Sequence, residues 1–311
     1  MFYASLDTSK QAIHQLLDRR MQREELSAYL LPLIIQIRGD HPTLSCRAMY
    51  AKLKPTSIGR DRFEQLCKFN GFSIERRLSR CTTTNSTGVQ RFDDLLTDRV
   101  LTRMDEAWSS DITYYEVGGR FYFITFIMDC FSRRILGYAV SKTLTTEQTT
   151  LPALRMALRI RGGKVTPQMI FHSDGGGQYY DKEFVRLTAE HKMRNSMCEY
   201  AWENGKAERL NGTIKNNYLK HQEIRSFPQL QKKVDRAVTL YNTERPHKAL
   251  KYQIPIDFEK KLLILQKQAM PTMTESLDAN TGLTGALSPQ QTEQATPLTP
   301  DVLSTNLAEK R

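Results

Sequence analysis

The succession of strands and helices after residue 106 restricts the fold of this chain more than any other feature of its sequence. Three strands are predicted first, over residues 108–117, 121–131 and 133–140, because β-branched and aromatic residues predominate there. Gly118 and Gly119 stand between the first two strands and supply the positive backbone angles that a tight hairpin turn requires. The three strands are therefore expected to form an antiparallel meander.

Helices and strands alternate after this meander. The periodicity predicts helices over residues 145–161, 181–192, 203–221 and 227–242, and strands over residues 168–174 and 195–199. An antiparallel meander followed by alternating elements gives a mixed five-stranded sheet flanked by helices. This α/β order is that of the ribonuclease-H-like fold.

The first 75 residues predict a small all-helical region ahead of the sheet. Apolar residues have helical spacing over residues 8–18 and 22–38, and Gly39 supplies a stop signal. Thr43 or Ser45 can cap a further helix that runs to about residue 52, and another helix is predicted over residues 60–69.

The two short helices surround a tight turn and predict a helix-turn-helix-like DNA-binding region. Three arginines lie near the helix starts, where contacts with DNA are expected: Arg47, Arg60 and Arg62. Helix pairs are also common in proteins that never touch DNA, so a purely structural role stays open.

The remaining segments of the chain are predicted from their composition and from the pattern of their apolar residues. Residues 76–100 are expected to be a basic linker, residues 101–225 the sheet-containing core, and residues 226–267 a helical extension of that core. Residues 268–311 are rich in Thr, Ser, Gln, Pro and Gly and have no periodic apolar face. Such a segment cannot bury enough surface to offset its ordering entropy, which predicts a disordered tail.

Charge and cysteine content restrict the environment and the partners. The net charge is +11, and both segments expected to fold are basic, which favours a polyanionic partner over a protein that is basic for solubility alone. Five scattered cysteines without C-x-x-C spacing fit reduced thiols. Without a secretory signal, or an apolar run approaching the roughly 18 residues of a membrane span, we expect a cytoplasmic protein.

Three carboxylates are candidates for a catalytic site. Asp111 lies inside the first strand, where a charge is costly to bury unless it is paired or bound to a metal. Asp174 ends the fourth strand, and ligands of α/β sheets bind at the carboxyl ends of strands. Glu208 shares a helix face with Asn204 and Lys215. Because the first and fourth strands are neighbours in a ribonuclease-H-like sheet, we expect the three carboxylates to converge.

Convergent carboxylates suit two-metal phosphoryl chemistry. Two Mg²⁺ ions about 3.5–4 Å apart can clamp a scissile phosphate, and hard oxygen ligands are those that Mg²⁺ prefers. We expect two Mg²⁺ ions, with Mn²⁺ able to substitute. Each residue also has a plain structural interpretation: Asp111 as a turn former, Asp174 as the start of an Asp-Gly turn, and Glu208 as a solvated side chain. Their joint occurrence, in this order and on these elements, favours catalysis.

Five segments in chain order carry a resemblance to a known family. They are WSSDITYY (108–115), MDCFSRRILGYAV (128–140), HSDGGGQYY (172–180), NGKAERLNGTIKNNYL (204–219) and YNTERPHKAL (241–250). They resemble the corresponding motifs of OrfB-type insertion-sequence transposases, whose core is similar to that of retroviral integrases. The resemblance covers about residues 8–260 and is looser in the N-terminal part.

The resemblance implies a catalytic triad of Asp111, Asp174 and Glu208 that cuts DNA at the terminal repeats and joins the freed ends to target DNA. It also implies a homo-oligomer in the DNA complex and an OrfA partner protein. Three further DNA contacts are implied: Lys215, Arg245 and Lys248. Arg245 equally fits a structural role, because Arg245-Pro246 would end a helix. The spacing of 33 residues between Asp174 and Glu208 is about two shorter than is usual in the family, which a trimmed loop explains.

Two other functions remain open on the sequence alone. A different ribonuclease-H-like nuclease, such as a junction resolvase, would explain the carboxylates and the charge but not the segment at residues 241–250. A DNA-binding regulator derived from a transposase would explain the motifs but has no need of three costly carboxylates.

Overall fold

We describe a computed structural model of the chain, which covers residues 9–74, 91–198 and 204–269. Residues up to Lys267 fall in one compact unit. The predicted linker at residues 76–100 is described only from residue 91, and the predicted tail at residues 268–311 lies outside the described residues except for its first two.

Three helices precede the sheet: α1 (Lys10–Asp40), α2 (Cys46–Leu53) and α3 (Arg60–Phe69). The prediction of two helices over residues 8–18 and 22–38 is wrong, because α1 is continuous through the polar stretch that separates them. An ion pair at helical spacing, Arg20 to Glu24 at 2.9 Å, lies within that stretch. Gly39 does not end the helix, which continues to Asp40.

The helix pair that follows agrees with its prediction. Ser45 caps α2, since its Oγ accepts a hydrogen bond from the backbone N–H of Ala48 at 3.3 Å. Lys54 ends α2 in the left-handed conformation, with φ of 47°. The three helices share one apolar core, in which Leu30, Met49 and Phe63 are fully buried.

The sheet has five strands: β1 (Ala107–Val117), β2 (Arg120–Asp129), β3 (Ile135–Ser141), β4 (Ile170–Ser173) and β5 (Arg194–Met197). Their spatial order is β3-β2-β1-β4-β5. β2 is antiparallel to both of its neighbours, whereas β4 is parallel to β1 and to β5. This is the mixed ribonuclease-H-like sheet that the sequence predicts.

Helices cover both faces of the sheet: α4 (Thr150–Ile160), α5 (Lys182–Glu190), α6 (Gly205–Asn217), α7 (Phe227–Thr243) and α8 (Pro255–Ala269). α4 and α5 pack on one face, around Trp108 and Phe171. α6 and α7 pack on the other, around Phe126 and Ile214. Successive side chains of β1 and β2 point to opposite faces of the sheet and so contribute to these two cores in turn.

The start of α4 differs from its prediction, because the helix begins at Thr150 and not at residue 145. The hydroxyl of Thr149 donates a hydrogen bond of 2.6 Å to the carbonyl of Thr145, one of the local bonds by which threonine competes with helix formation. α4 then packs very closely on β3. A Cβ atom at Gly137 would lie 2.0 Å from the carbonyl oxygen of Ala153, so that only glycine fits there.

A buried ion network attaches α8 to the rest of the core. Glu259 is 2% exposed and accepts two hydrogen bonds from the guanidinium of Arg161, at 2.8 and 2.7 Å. Arg134 and Ser132 each donate a further hydrogen bond to Glu259, both at 2.6 Å. Because every oxygen of this buried carboxylate is satisfied, the network holds α8 against the sheet.

Two further observations concern the cysteines and the helix lengths. Cys46, Cys67 and Cys130 are free thiols, Cys198 donates a hydrogen bond from Sγ to the carbonyl of Ser173, and the fifth cysteine lies outside the described residues. Across the described ranges, no helix combines the length and the apolar character that crossing a bilayer would need.

Candidate active site

Asp111 and Asp174 lie side by side because β1 and β4 are parallel neighbours. The last paired residues of the two strands are Ser109 and His172, and each aspartate stands two residues further along its own chain. Side chains repeat every two residues along a strand, so both aspartates point to the same side of the sheet. The register of β1 and β4 thus places Asp111 and Asp174 on neighbouring strands and on the same side of the sheet.

The pKa values of both aspartates are raised above their usual range. Burial raises the pKa of Asp111 to about 7, and the nearby negative charge of Asp174 adds to the shift. The pKa of Asp174 is also raised, chiefly by burial. Two carboxylates enclosed together in this way are costly to keep ionised unless a cation joins them.

Glu208 approaches this pair from the first turn of α6, where the positive end of the helix dipole favours a carboxylate. Its charge contributes to the raised pKa of Asp111, after the effects of burial and of Asp174. Among the described residues, no three His, Cys, Asp or Glu side chains are grouped closely enough to hold a metal ion. Asp111 and Asp174 thus lie on neighbouring strands, and Glu208 acts on Asp111 through its charge.

Two asparagines fix α6 against β1. Asn204, at the start of the helix, donates a hydrogen bond from Nδ2 to the carbonyl of Ser110 at 2.9 Å. Asn211 donates from Nδ2 to Oδ2 of Asp111 at 2.7 Å. The sequence analysis did not name Asn211 as a site residue, although it lies on the same helix face as Asn204 and Glu208 and that spacing could have found it.

A buried tyrosine contacts β1 at Ser110, the chain neighbour of Asp111. The hydroxyl of Tyr179 lies 2.9 Å from Oγ of Ser110, which also donates to the carbonyl of Phe126 at 2.9 Å. Burial raises the pKa of Tyr179 well above its usual range, and the charges of Asp174 and Asp111 act in the same direction. Tyr179 therefore stays neutral, and it was not singled out from the sequence.

The glycine run after Asp174 shapes the loop around its carboxylate. The backbone N–H of Gly176 donates a hydrogen bond to Oδ1 of Asp174 at 3.2 Å. A Cβ atom at Gly176 would lie 3.1 Å from that same oxygen, closer than most side chains allow. Glycine thus lets the backbone fold back onto the carboxylate.

Asp129 is a third aspartate of the core and is fully buried, but its surroundings indicate a structural role. Its oxygens accept hydrogen bonds from the backbone N–H groups of Phe131, Ser132 and Asp105, at 2.9, 2.7 and 2.7 Å. It pairs across the sheet with Trp108, near the beginning of β1 and away from the aspartate pair. Its backbone donors stabilise its charge within the fold.

The arginines predicted to contact DNA from the N-terminal region are all exposed. Two of them form surface ion pairs, Arg47 with Glu64 at 3.0 Å and Arg60 with Asp61 at 2.9 Å. Arg62 is exposed on α3 beside them. Surface pairs of this kind are weak and leave the arginines accessible to another anion.

The three cations predicted in the C-terminal part differ in exposure. Lys215 is half-buried, with Nζ 5.5 Å from the centroid of the Tyr114 ring, and burial lowers its pKa. Arg245 is half-buried, with its guanidinium 5.8 Å from the centroid of Tyr218. Lys248 is exposed.

Comparison with known proteins finds similarity to integrase core domains. Two integrase core domain families match the chain, one over residues 102–201 and the other over residues 191–255. A Shigella sonnei protein described as the uncharacterized 31 kDa protein of insertion element IS600 is 27% identical over 255 residues, which cover 80% of this chain and 92% of the relative.

Two further proteins are similar over the core. The putative transposase InsK for insertion sequence element IS150, from Escherichia coli strain K12, is 26% identical over 164 residues, or 51% of this chain and 56% of the relative. The catalytic core domain of HTLV-2 integrase, solved in complex with magnesium, aligns with a TM-score of 0.41 at 20% identity, over 50% of this chain and 95% of that one.

The two family matches overlap and together run from residue 102 to residue 255, which takes in the whole sheet and helices α4 to α7. Asp111, Asp174 and Glu208 all lie inside them. The chain is therefore similar to integrase core domains across its sheet and to insertion-sequence proteins over a longer part of its length.

Proposed function

We propose that this protein is a transposase that cuts DNA at the ends of an insertion sequence and transfers the freed 3′ ends to target DNA. The observation that carries the proposal is the pair formed by Asp111 and Asp174, half-buried where the parallel strands β1 and β4 lie side by side in a core that is similar to integrase core domains. Buried carboxylates with raised pKa values in such a position are typical of catalytic sites. The catalytic triad is Asp111, Asp174 and Glu208.

The chemistry of the donor set suits divalent cations, although the three described carboxylates are not grouped around one point. Carboxylate oxygens are the ligands that Mg²⁺ prefers, and a cation would offset the cost of burying Asp111 beside Asp174. When bound, two Mg²⁺ or Mn²⁺ ions would polarise the scissile phosphate and stabilise the leaving oxygen. Asn211 holds one oxygen of Asp111 in place, and the N–H of Gly176 orients Asp174. Glu208 of α6 would be the third ligand when a metal ion is bound.

The partners follow from the charge and from the family. The terminal repeats and the target DNA are the substrates, and Arg47, Arg60, Arg62, Lys215, Arg245 and Lys248 supply contacts to phosphates. The active form is a homo-oligomer on DNA, assisted by an OrfA partner protein, in the cytoplasm. The helical region at residues 1–75 recognises the ends, and the core carries the chemistry.

Charge-neutralising substitutions separate catalysis from binding. Asp111→Asn, Asp174→Asn and Glu208→Gln keep the side-chain shape, and each should abolish strand transfer on a duplex that carries an element end. DNA affinity, measured by gel shift, should persist or rise slightly, because a repulsive charge is removed while the lysines and arginines remain. Glu116→Gln is the matched control, since this exposed glutamate lies on the same strand as Asp111.

Two outcomes would contradict the proposal. Strand transfer by all three variants at saturating DNA would show that the triad is misassigned. A wild-type protein that binds end DNA and never reacts, with Mg²⁺ and the OrfA partner present, would identify a DNA-binding regulator instead.

A further inference from the structure

A second concave surface lies next to the aspartate site, where the helical region meets the core. We call it the basic cleft. Its volume is about 380 Å³. Among the described residues, no Asp or Glu lines the cleft. Five cationic side chains of the described ranges line it: Arg133, Lys206, Arg209, Arg245 and Lys248.

Helix α6 separates the basic cleft from the carboxylates. Glu208 and Asn211 serve the aspartate site, and Asn211 contacts Asp111 directly. Lys206, Arg209 and Thr213 of the same helix line the cleft. The two sites are therefore opposite sides of one helix.

The opposite wall of the cleft comes from the helical region. It is formed by the segment that leads into α2, including Thr43 and the capping residue Ser45, and by Ala48 in the first turn of that helix. The helical region and the core thus contribute to a single surface.

The cations of the cleft lack anionic partners within the described part of the chain. None of the five forms an ion pair with a described carboxylate, whereas Arg47, Arg134 and Arg161 all do. Unpaired positive charges that share one concave surface attract a polyanion.

Buried polar atoms of the cleft are also left without hydrogen bonds. Within the described ranges, Oγ1 of Thr43, Nη1 of Arg245 and Nε2 of His247 are buried and have no partner. All three residues line the cleft. Because an unsatisfied buried polar group costs about 1–3 kcal/mol, three at one place indicate a ligand that supplies the missing bonds.

The surroundings of His247 show how concentrated the positive charge is. Burial lowers the pKa of His247 to about 3, and the charges of Arg245 and Arg133 lower it further. Arg133 is held in the left-handed backbone conformation, with φ of 62°, which is uncommon for a residue with a side chain. Such conformations recur at ligand sites because the surrounding structure must maintain them.

We propose that the basic cleft binds the sugar-phosphate backbone of the DNA strand next to the phosphate that reacts at Asp111 and Asp174. The inference rests on the proposed function and adds the path of the substrate. Five cations exceed the charge of one small anion, whereas a DNA strand supplies one negative charge per nucleotide. Backbone contacts of this kind fix register and orientation and carry no sequence information themselves.

At the basic cleft, the helical region and the core would therefore both contact the same DNA strand. A strand bound along α6 would reach the carboxylates on the other side of that helix. The residues newly assigned to DNA binding are Arg133, Lys206 and Arg209, with Thr43 and His247 as hydrogen-bonding partners of phosphate oxygens.

The test is the salt dependence of binding to a duplex that carries an element end. Each lost phosphate contact should reduce the slope of log affinity against log salt by about 0.9, so the double variant Lys206→Ala with Arg209→Ala should lose about 1.8. A second double variant, Arg133→Ala with Lys248→Ala, lies off α6 and should show the same loss. Arg186→Ala with Lys232→Ala is the matched control, because both residues are exposed and outside the cleft.

Three results would decide the matter. Slopes equal to wild type in both cleft variants, with folding verified by thermal melts, would overturn the inference. Inorganic phosphate is the second probe: if it stabilises wild type alone while the DNA slopes are unchanged, the cleft takes a small anion and the inference is again overturned. A wild-type protein that neither binds nor cuts end DNA would overturn the proposed function itself, which is a separate failure.

Discussion

The side chain of Asn211 donates a hydrogen bond of 2.7 Å to Oδ2 of Asp111. The bond crosses from α6 to β1 and holds one oxygen of the aspartate in a fixed direction. Asn211 is buried, so water does not replace it readily as the donor. We therefore regard Asn211 as a positioning residue for the candidate metal site.

Asn211→Ala should reduce strand transfer by about 10–100-fold, because partners of metal-binding carboxylates typically contribute that much to activity or metal affinity. The concentration of Mg²⁺ needed for half-maximal rate should rise, which a merely structural role would not produce. Asn216→Ala, an exposed position on the same helix, is the control. An unchanged Mg²⁺ dependence in Asn211→Ala would remove this residue from the site.

Metal binding should be visible as stability. Mg²⁺ at about 100 times its Kd should stabilise the wild-type protein by about 2.7 kcal/mol, since the ion binds the folded state alone. Asp174→Asn should remove most of this effect, and Glu116→Gln should retain it. Thermal melts with Mg²⁺ and with EDTA provide the measurement, and full strand transfer in EDTA would contradict the metal requirement.

The buried His41 should make stability depend on pH. Burial lowers its pKa from 6.5 to about 4, helped by the charges of Lys52 and Arg245. The unfolded chain therefore binds more protons than the folded one between these values, so stability is complete above pH 6.5 and is lost as the pH falls towards 4. The loss is at most about 3 kcal/mol for this residue.

His41→Gln should flatten the stability profile between pH 6.5 and 4, while an exposed control, His221→Gln, should leave it unchanged. Denaturant unfolding at several pH values is the measurement. His247 has a pKa lowered to about 3 and contributes in the same direction. The pH dependence of stability should therefore become weaker in His41→Gln without disappearing. If the stability of His41→Gln changed with pH as much as that of wild type, His41 would not be a source of the pH dependence.

Removal of Glu259 should destabilise the fold strongly. Glu259→Ala leaves Arg161 buried without its bidentate partner, and breaking a buried pair typically costs about 3–5 kcal/mol. Asp257→Ala, an exposed acid on the same helix, should have little effect. Unfolding in urea would measure both, and a change of less than about 1 kcal/mol for Glu259→Ala would show that the network is dispensable.

Elements with strong local signals could be predicted from the sequence. The bounds of α3 agree with the prediction because Gly59 precedes the helix and Gly71 follows it closely. The strands of the meander were recoverable because their apolar and aromatic content is high and Gly118-Gly119 marks the turn. The aspartate pair followed from these elements, since the parallel pairing of β1 and β4 places Asp111 beside Asp174.

Other features depend on contacts that local patterns do not encode. The polar stretch after residue 18 suggested a break in α1. The helix is nevertheless continuous there, because its residues have sufficient helical propensity and Arg20 pairs with Glu24. Partners that lie 98 residues apart, such as Arg161 and Glu259, become evident only from the folded chain. The basic cleft could not be predicted for the same reason, because its lining residues come from separate parts of the sequence.

The ion network around Glu259 also bears on how the protein matures. The strands of the meander are close in sequence and can pair early, whereas Arg161 meets its carboxylate partner only when residue 259 has been synthesised. Until then a guanidinium destined for the interior must stay hydrated, and the end of α4 cannot settle fully against the sheet. Translation products that stop before residue 259 should thus remain incompletely folded and open to proteolysis, so that the cell would accumulate few fragments able to occupy DNA without cutting it.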